Sequence, residues 1–198
     1  MILDKNKIYV IDNLVPEIHQ KGFYETLTNK PQSLQWYEHP YVPGFQINSP
    51  KYTKCIPESQ FSQLLEPTKK MFTLKYLEKT LNIKVDKILR MKINWVTREH
   101  SSNSKGFYPP HTDHEIEHWT LLYYVNTSDG DTLIFDETEK EIPFRKVDIK
   151  NISLNIKESV KHLRGRGVLF YGSTYHCGTP PIKNNIRITI NHNFTIKK

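Results

Sequence analysis

The chain carries the run Tyr108-Pro109-Pro110-His111-Thr112-Asp113 and, much later, His176 and Arg187. Histidine and aspartate one residue apart suit a metal centre. On an extended backbone side chains alternate, so His111 and Asp113 point to one face and Thr112 to the other. His176 supplies a further imidazole from a distant strand. Two imidazoles and a carboxylate gathered on one side of a metal leave its other side open to exogenous ligands. Arg187 adds a second kind of chemistry. A guanidinium facing an interior without a partner costs roughly several kcal/mol, so it either reaches solvent or holds an anion. Its planar fork matches a carboxylate, with charge-assisted bonds of roughly 1.5–3 kcal/mol each.

Taken alone, a His-x-Asp pair is equally well a hydrogen-bonded surface pair. The elements around it argue for more. His176 follows Gly167-Val168-Leu169-Phe170-Tyr171, which reads as a buried strand, with Gly172 and Gly178 marking the turns on either side. Arg187 lies in Ile186-Arg187-Ile188-Thr189-Ile190-Asn191, a strand that sends isoleucines to one face and Arg187, Thr189 and Asn191 to the other. Ile88–Trp95, Trp119–Asn126, Thr132–Phe135 and Ile152–Ile156 read as further strands, with a turn at Ser128-Asp129-Gly130. Upstream, Lys7–Ile11 reads as a short strand and Pro16 opens a helix to about Leu27. A second helix is predicted from near Pro57, carrying Phe61, Leu64, Leu65, Met71, Leu74 and Leu77 and ending at Asn82. Strands following helices predict an α+β domain whose sheets form a jelly roll. Part of the charged stretch from Asp136 to Arg164, over Glu137 to Lys146, is expected to act as a lid.

Composition bounds the rest. At 198 residues with 37% hydrophobic content, one domain with a proper core is expected. No apolar stretch is long enough to cross a bilayer, and Met1–Val15 holds charges at Asp4, Lys5, Lys7 and Asp12 rather than a secretory core. Two cysteines, Cys55 and Cys177, make no disulfide framework, so a cytoplasmic location is expected. The formal charge of +7 invites a nucleic-acid partner, yet the cations are scattered, with one cluster at Lys161, Arg164 and Arg166.

The ordered set His111-Thr112-Asp113, His176 and Arg187, with Leu121–Asn126, Asp129–Phe135 and Gly165–Phe170 between, resembles the Fe(II)/2-oxoglutarate-dependent dioxygenases, in their prolyl 4-hydroxylase-like branch. The resemblance covers residues 86–196. It implies a double-stranded β-helix (jelly roll) with N-terminal supporting helices. Residues 1–198 then form a single domain, with 1–85 as a helical support layer and 86–196 as the catalytic core. It further implies Fe(II) on His111, Asp113 and His176, with 2-oxoglutarate and O₂ as cosubstrates and Arg187 on the C5 carboxylate. Tyr124 matches a tyrosine that helps hold that carboxylate, Tyr108 a pocket wall, and Thr189 offers it a hydroxyl. The implied reaction hydroxylates an aliphatic C–H while 2-oxoglutarate becomes succinate and CO₂.

Departures from the family shape the expectations on substrate. Trp95 stands near where many relatives have a cosubstrate-contacting tyrosine. The nucleic-acid demethylating branch has a second arginine six positions after the first; Asn193 stands there, which counts against a nucleic-acid substrate. A prolyl residue in a peptide or protein is the expected target, with a free amino acid or small metabolite as the alternative. A non-catalytic jelly-roll metal-binding module is the other alternative. A zinc hydrolase read from His111, Asp113 and His114, with His118 nearby, is disfavoured because the relevant hydrolases need histidine where Pro109 stands.

Overall fold

The alternating second half of the chain becomes sheet in the computed structural model, which describes residues 2–29, 37–38, 46–51, 54–55, 60–65, 71–98, 106–114, 116–139 and 153–197. In chain order the elements are β1 (Tyr9–Ile11), α1 (Glu17–Asn29), β2 (Tyr37–Glu38), β3 (Gln46–Asn48), β4 (Lys54–Cys55), β5 (Gln60–Leu65), α2 (Phe72–Leu81) and β6 (Val85–Thr97). They continue with β7 (Gly106–Phe107), β8 (Trp119–Tyr124), β9 (Thr132–Thr138), β10 (Ser153–Val160), β11 (Gly167–Tyr171), β12 (Thr174–Gly178) and β13 (Ile186–Ile196). A seven-stranded sheet has the order β1-β11-β8-β13-β6-β5-β2 and a four-stranded sheet the order β12-β9-β10-β3, while β4 and β7 form a separate parallel pair. The two larger sheets, mostly antiparallel, make the double-stranded β-helix.

Side-chain alternation assigns each face of the large sheet its job. From β8, Trp119, Leu121 and Tyr123 join the core under the helices, and Leu122 and Tyr124 join the cluster on the opposite face with Ile134, Val160, Val168 and Phe170. From β13, Ile188 and Ile190 pack with Leu27 of α1 and Leu74 and Leu77 of α2. Leu74 and Leu77 are fully buried, each contributing roughly 1.5–3 kcal/mol relative to exposure. The same strand therefore turns Arg187, Thr189, Asn191 and Asn193 to the face away from the helices. The helix layer is thus what makes one face of β13 apolar and leaves the other for chemistry.

Two expectations change. Residues 60–65 are not helical: they form β5, paired with β6 from Gln60↔Val96 to Leu65↔Met91. The consecutive leucines show why, since Leu64 is 62% exposed while Leu65 packs on the core, the period of a strand rather than of a helical stripe. The second helix is confined to Phe72–Leu81 and ends where expected, with Asn82 left-handed (φ 49°, ψ 49°) and its N–H bonded to the Glu78 carbonyl. The first 85 residues also supply more than a helical layer, because β1 pairs with β11, β3 with β10 and β5 with β6. The predicted turn at Ser128–Gly130 does separate β8 from β9, and because these lie in different sheets it carries the chain from one sheet to the other. Asp129 secures that crossing by accepting N–H bonds from Ile182, Lys183 and Asn184 at 2.8–3.3 Å.

Glu137 and Thr138 end β9, and residues 140–146 of the expected lid lie outside the described residues, as does Pro57. Cys177 is buried on β12. Among the described residues no helix is long and apolar enough to cross a membrane.

Candidate active site

His111, Asp113 and His176 meet on the face of the large sheet away from the helices, each offering one ligand atom, and these atoms lie within 4.8 Å of one another. The mechanism of convergence differs from the expected strand. His111 makes a single antiparallel bridge to His176, with both backbone N–H···O bonds at 3.0 Å, and residues 112–114 leave extended pairing. Thr112 still points away from its neighbours' partners, donating to Glu139 at 2.6 Å. His111 Nδ1 lies 3.0 Å from the Pro109 carbonyl and His176 Nδ1 lies 3.3 Å from that of Thr174. A carbonyl only accepts, so each Nδ1 carries the proton and each Nε2 keeps a lone pair for a metal. Burial pushes the His176 pKa down against the pull of Asp113.

Asp113 has a densely bonded carboxylate. It accepts from Arg90, Thr120 (3.2 Å), Asn191 (2.9 Å) and Asn193 (3.0 Å). Burial opposes its charge, but His176, Arg90 and His111, with the Asn191 amide, outweigh that and hold the carboxyl well below the usual range. Two lone-pair nitrogens and an ionised carboxylate, clustered with His176 buried and His111 and Asp113 half-buried, fit Fe(II). His114 and His118 do not join the cluster. His118 is buried, bonded through Nδ1 to the Ile116 carbonyl at 2.6 Å.

Further along β13, Arg187 is 5% exposed. Its Nε donates to the Gly130 carbonyl (3.1 Å) and its Nη2 to Thr132 Oγ1 (2.8 Å), which also accepts the Tyr124 hydroxyl (2.6 Å). Gly130 is glycine for a steric reason: a Cβ there would fall 2.5 Å from the Thr179 carbonyl oxygen and 3.0 Å from Arg187 Cδ. Among the described residues no carboxylate lies within ion-pair distance of Arg187. Thr189, paired in register with Tyr124, buries its hydroxyl without a hydrogen-bond partner. Tyr108 is buried beside Gly178, whose missing Cβ would lie 3.4 Å from the Tyr108 ring and 3.2 Å from Arg187 Nη1. A buried cation and a buried hydroxyl thus lie two residues apart on one strand face, a pairing whose burial an anion would compensate.

Each residue predicted for the site therefore converges on one of two neighbouring clusters. Sequence reasoning missed several others. Arg90 and Thr120 reach Asp113 from strands flanking β13, and Thr132 and Gly130 seat Arg187 from β9 and its preceding turn. His162 stacks on Tyr124 with centroids 4.0 Å apart, and burial, with Arg187, pushes its pKa well down. Asn193 was legible by its parity with Arg187; it bonds Asp113 where the demethylating branch has arginine. Trp95 packs against the helix-side core, turned from the site.

The fold is a jelly roll that sets three candidate metal ligands beside a buried arginine and a buried hydroxyl. The family described as the 2OG-Fe(II) oxygenase superfamily matches residues 96–195. Comparison with curated proteins finds no match. Among solved structures, a prolyl-4-hydroxylase of Pseudomonas putida is similar at 9% identity and a TM-score of 0.57, covering 97% of this chain and 94% of that one. A prolyl hydroxylase from Trichoplax adhaerens, in complex with a hypoxia inducible factor oxygen degradation domain peptide fragment, is similar at 14% identity and a TM-score of 0.60 (96% and 84% covered). The epimerase SnoN, in complex with Fe3+, alpha ketoglutarate and nogalamycin RO, is similar at 8% identity and a TM-score of 0.62 (96% and 79% covered). At such identities these likenesses speak to the fold. The family match spans half of the chain: the protein belongs to the 2OG-Fe(II) oxygenase superfamily, and its cofactors are Fe(II), 2-oxoglutarate and O₂.

Proposed function

We propose that this oxygenase hydroxylates an aliphatic C–H, with a prolyl residue of a peptide or protein as its substrate, and that residues 1–198 form one catalytic domain. The carrying observation is Arg187: a buried guanidinium without a carboxylate partner among the described residues, on the same strand face as the donors to Asp113. In this reading His111, Asp113 and His176 hold Fe(II), with His111 and His176 presenting Nε2. Arg187 and the Thr189 hydroxyl hold the C5 carboxylate of 2-oxoglutarate, Tyr124 braces Thr132 beneath Arg187, and Tyr108 walls the pocket. Once bound, the iron and cosubstrate supply oxidative decarboxylation: 2-oxoglutarate, O₂ and R–H become succinate, CO₂ and R–OH. The protein's part is to orient both ligands and exclude water, which the burial of Tyr108, Tyr124 and Thr189 serves.

Peptide substrates are favoured by the prolyl hydroxylases of the same fold, one of them bound to a peptide fragment. A small molecule is the second reading, because SnoN of that fold holds nogalamycin RO. Against nucleic acid, two of the three clustered cations are paired: Arg166 with Asp12 at 2.6 Å and Arg164 with Glu17 at 3.7 Å. The test is succinate formation and substrate mass gain of one oxygen in the Fe(II)-loaded chain, with proline-containing peptides against free amino acids. His111→Ala should abolish both and Arg187→Ala should weaken both. Iron-loaded protein that forms no succinate with any substrate would instead support a non-catalytic metal-binding module.

A further inference from the structure

Arg90 of β6, Asn193 of β13 and Thr120 of β8 occupy a single cross-strand row, since Asn193 is the register partner of both Arg90 and Thr120. All three residues bond the Asp113 carboxylate, joined by Asn191 two positions back on β13. Arg90 Nη2 and Asn191 Nδ2 (2.9 Å) donate to Oδ1. Thr120 Oγ1 (3.2 Å), Asn193 Nδ2 (3.0 Å) and Asn191 Nδ2 (2.9 Å) reach Oδ2. Asn193 also ties the row together, accepting from Arg90 Nε at 2.9 Å and bonding Thr120 Oγ1 at 3.0 Å. The Asp113 side chain is 2% exposed, so water does not compete for these bonds.

The two carboxylate oxygens are not equivalent. Oδ2 lies 3.6 Å from His176 Nε2, turned toward the imidazoles, whereas Oδ1 carries the guanidinium. We propose that Arg90 is a positioning residue: it holds Oδ1 out of the coordination sphere and leaves Oδ2 as the one ligand atom of Asp113. This rests on the metal-centre reading above. Its consequence is that the carboxylate takes one position on the metal rather than two, preserving room for exogenous ligands. Arginine suits the task because its planar fork serves Asn193 through Nε and Asp113 through Nη2 at once, which a single ammonium cannot do in that geometry.

The test titrates the metal-free chain with Co(II), a redox-stable stand-in whose visible absorption reports coordination, in wild type, Arg90→Lys and Arg90→Met. Both variants should bind Co(II) with altered absorption bands, as Oδ1 is released toward the metal and the coordination changes. Arg90→Lys keeps the charge, so its spectral change isolates geometry, and it decides the matter alone should Arg90→Met fail to fold by circular dichroism. Affinity within about twofold and a superimposable spectrum in Arg90→Lys overturn the proposal. Tighter binding with an unchanged spectrum in Arg90→Met also overturns it, as charge relief alone. Wild type that binds no Co(II), or binding that survives His111→Ala, overturns the metal-centre reading itself.

Discussion

Acid should loosen this fold through His192, the residue on the helix-facing side of the strand that carries the site. Its Nε2 lies 2.9 Å from the Thr73 hydroxyl on α2, it is fully buried, and burial lowers its pKa from 6.5 to about 3. A depressed histidine is neutral in the folded chain and protonated in the unfolded chain below 6.5. Its contribution is therefore fully present above that value and is lost as pH falls toward 3. Each unit of pH in this window costs about 1.4 kcal/mol, so moving from about pH 7.5 to about pH 5 removes about 2 kcal/mol through this side chain alone. His192→Gln keeps a group able to bond Thr73 but cannot titrate. The assay is urea unfolding of metal-free wild type and variant at both pH values, followed by circular dichroism. His118, His162 and His176 titrate in both proteins, so the difference between the two pH-dependent losses isolates His192. Any fixed cost of burying the amide cancels as well. An equal loss of stability in wild type and variant would refute the reasoning, because it would mean that His192 is either hydrated or protonated within the fold.

Two further expectations concern the anion receptor. Arg187→Ala removes roughly two charge-assisted bonds to the bound carboxylate, about 3–6 kcal/mol, so 2-oxoglutarate affinity measured calorimetrically without oxygen should fall at least about 100-fold. Arg187→Lys should recover part of that loss, charge without the fork; full recovery would mean that charge alone recognises the cosubstrate. Gly130→Ala drives a methyl group to 2.5 Å from the Thr179 carbonyl oxygen, so the turn must shift and take the carbonyl that accepts from Arg187 Nε with it. Both the melting temperature and 2-oxoglutarate affinity should drop, and a variant with wild-type affinity would show that the Gly130 carbonyl does not seat Arg187.

Local chemistry and strand parity were legible in the sequence. His111, Asp113 and His176 announce a metal centre by ligand type, and the alternation of Ile186–Asn191 assigns Arg187 and Thr189 to one face because the side-chain period of a strand is two. The C-terminal boundary of α2 was equally local, since asparagine at 82 tolerates the left-handed conformation that ends the helix. Gln60–Leu65 escaped because two adjacent leucines fit a helical stripe as well as a strand, and only the ladder with β6 chooses. The seating of Asp113 escaped for a stronger reason. Arg90, Asn193 and Thr120 are separated by 73 to 103 residues at their hydrogen bonds, and each looks like an ordinary polar position on its own strand. Their alignment depends on the register of three strands, in which a slip of one residue would turn each side chain to the opposite face. The sequence by itself determined which groups are candidates for the chemistry, because their types and alternation are local. Tertiary structure alone decided how they are held, because register is settled by packing between strands and helices distant along the chain.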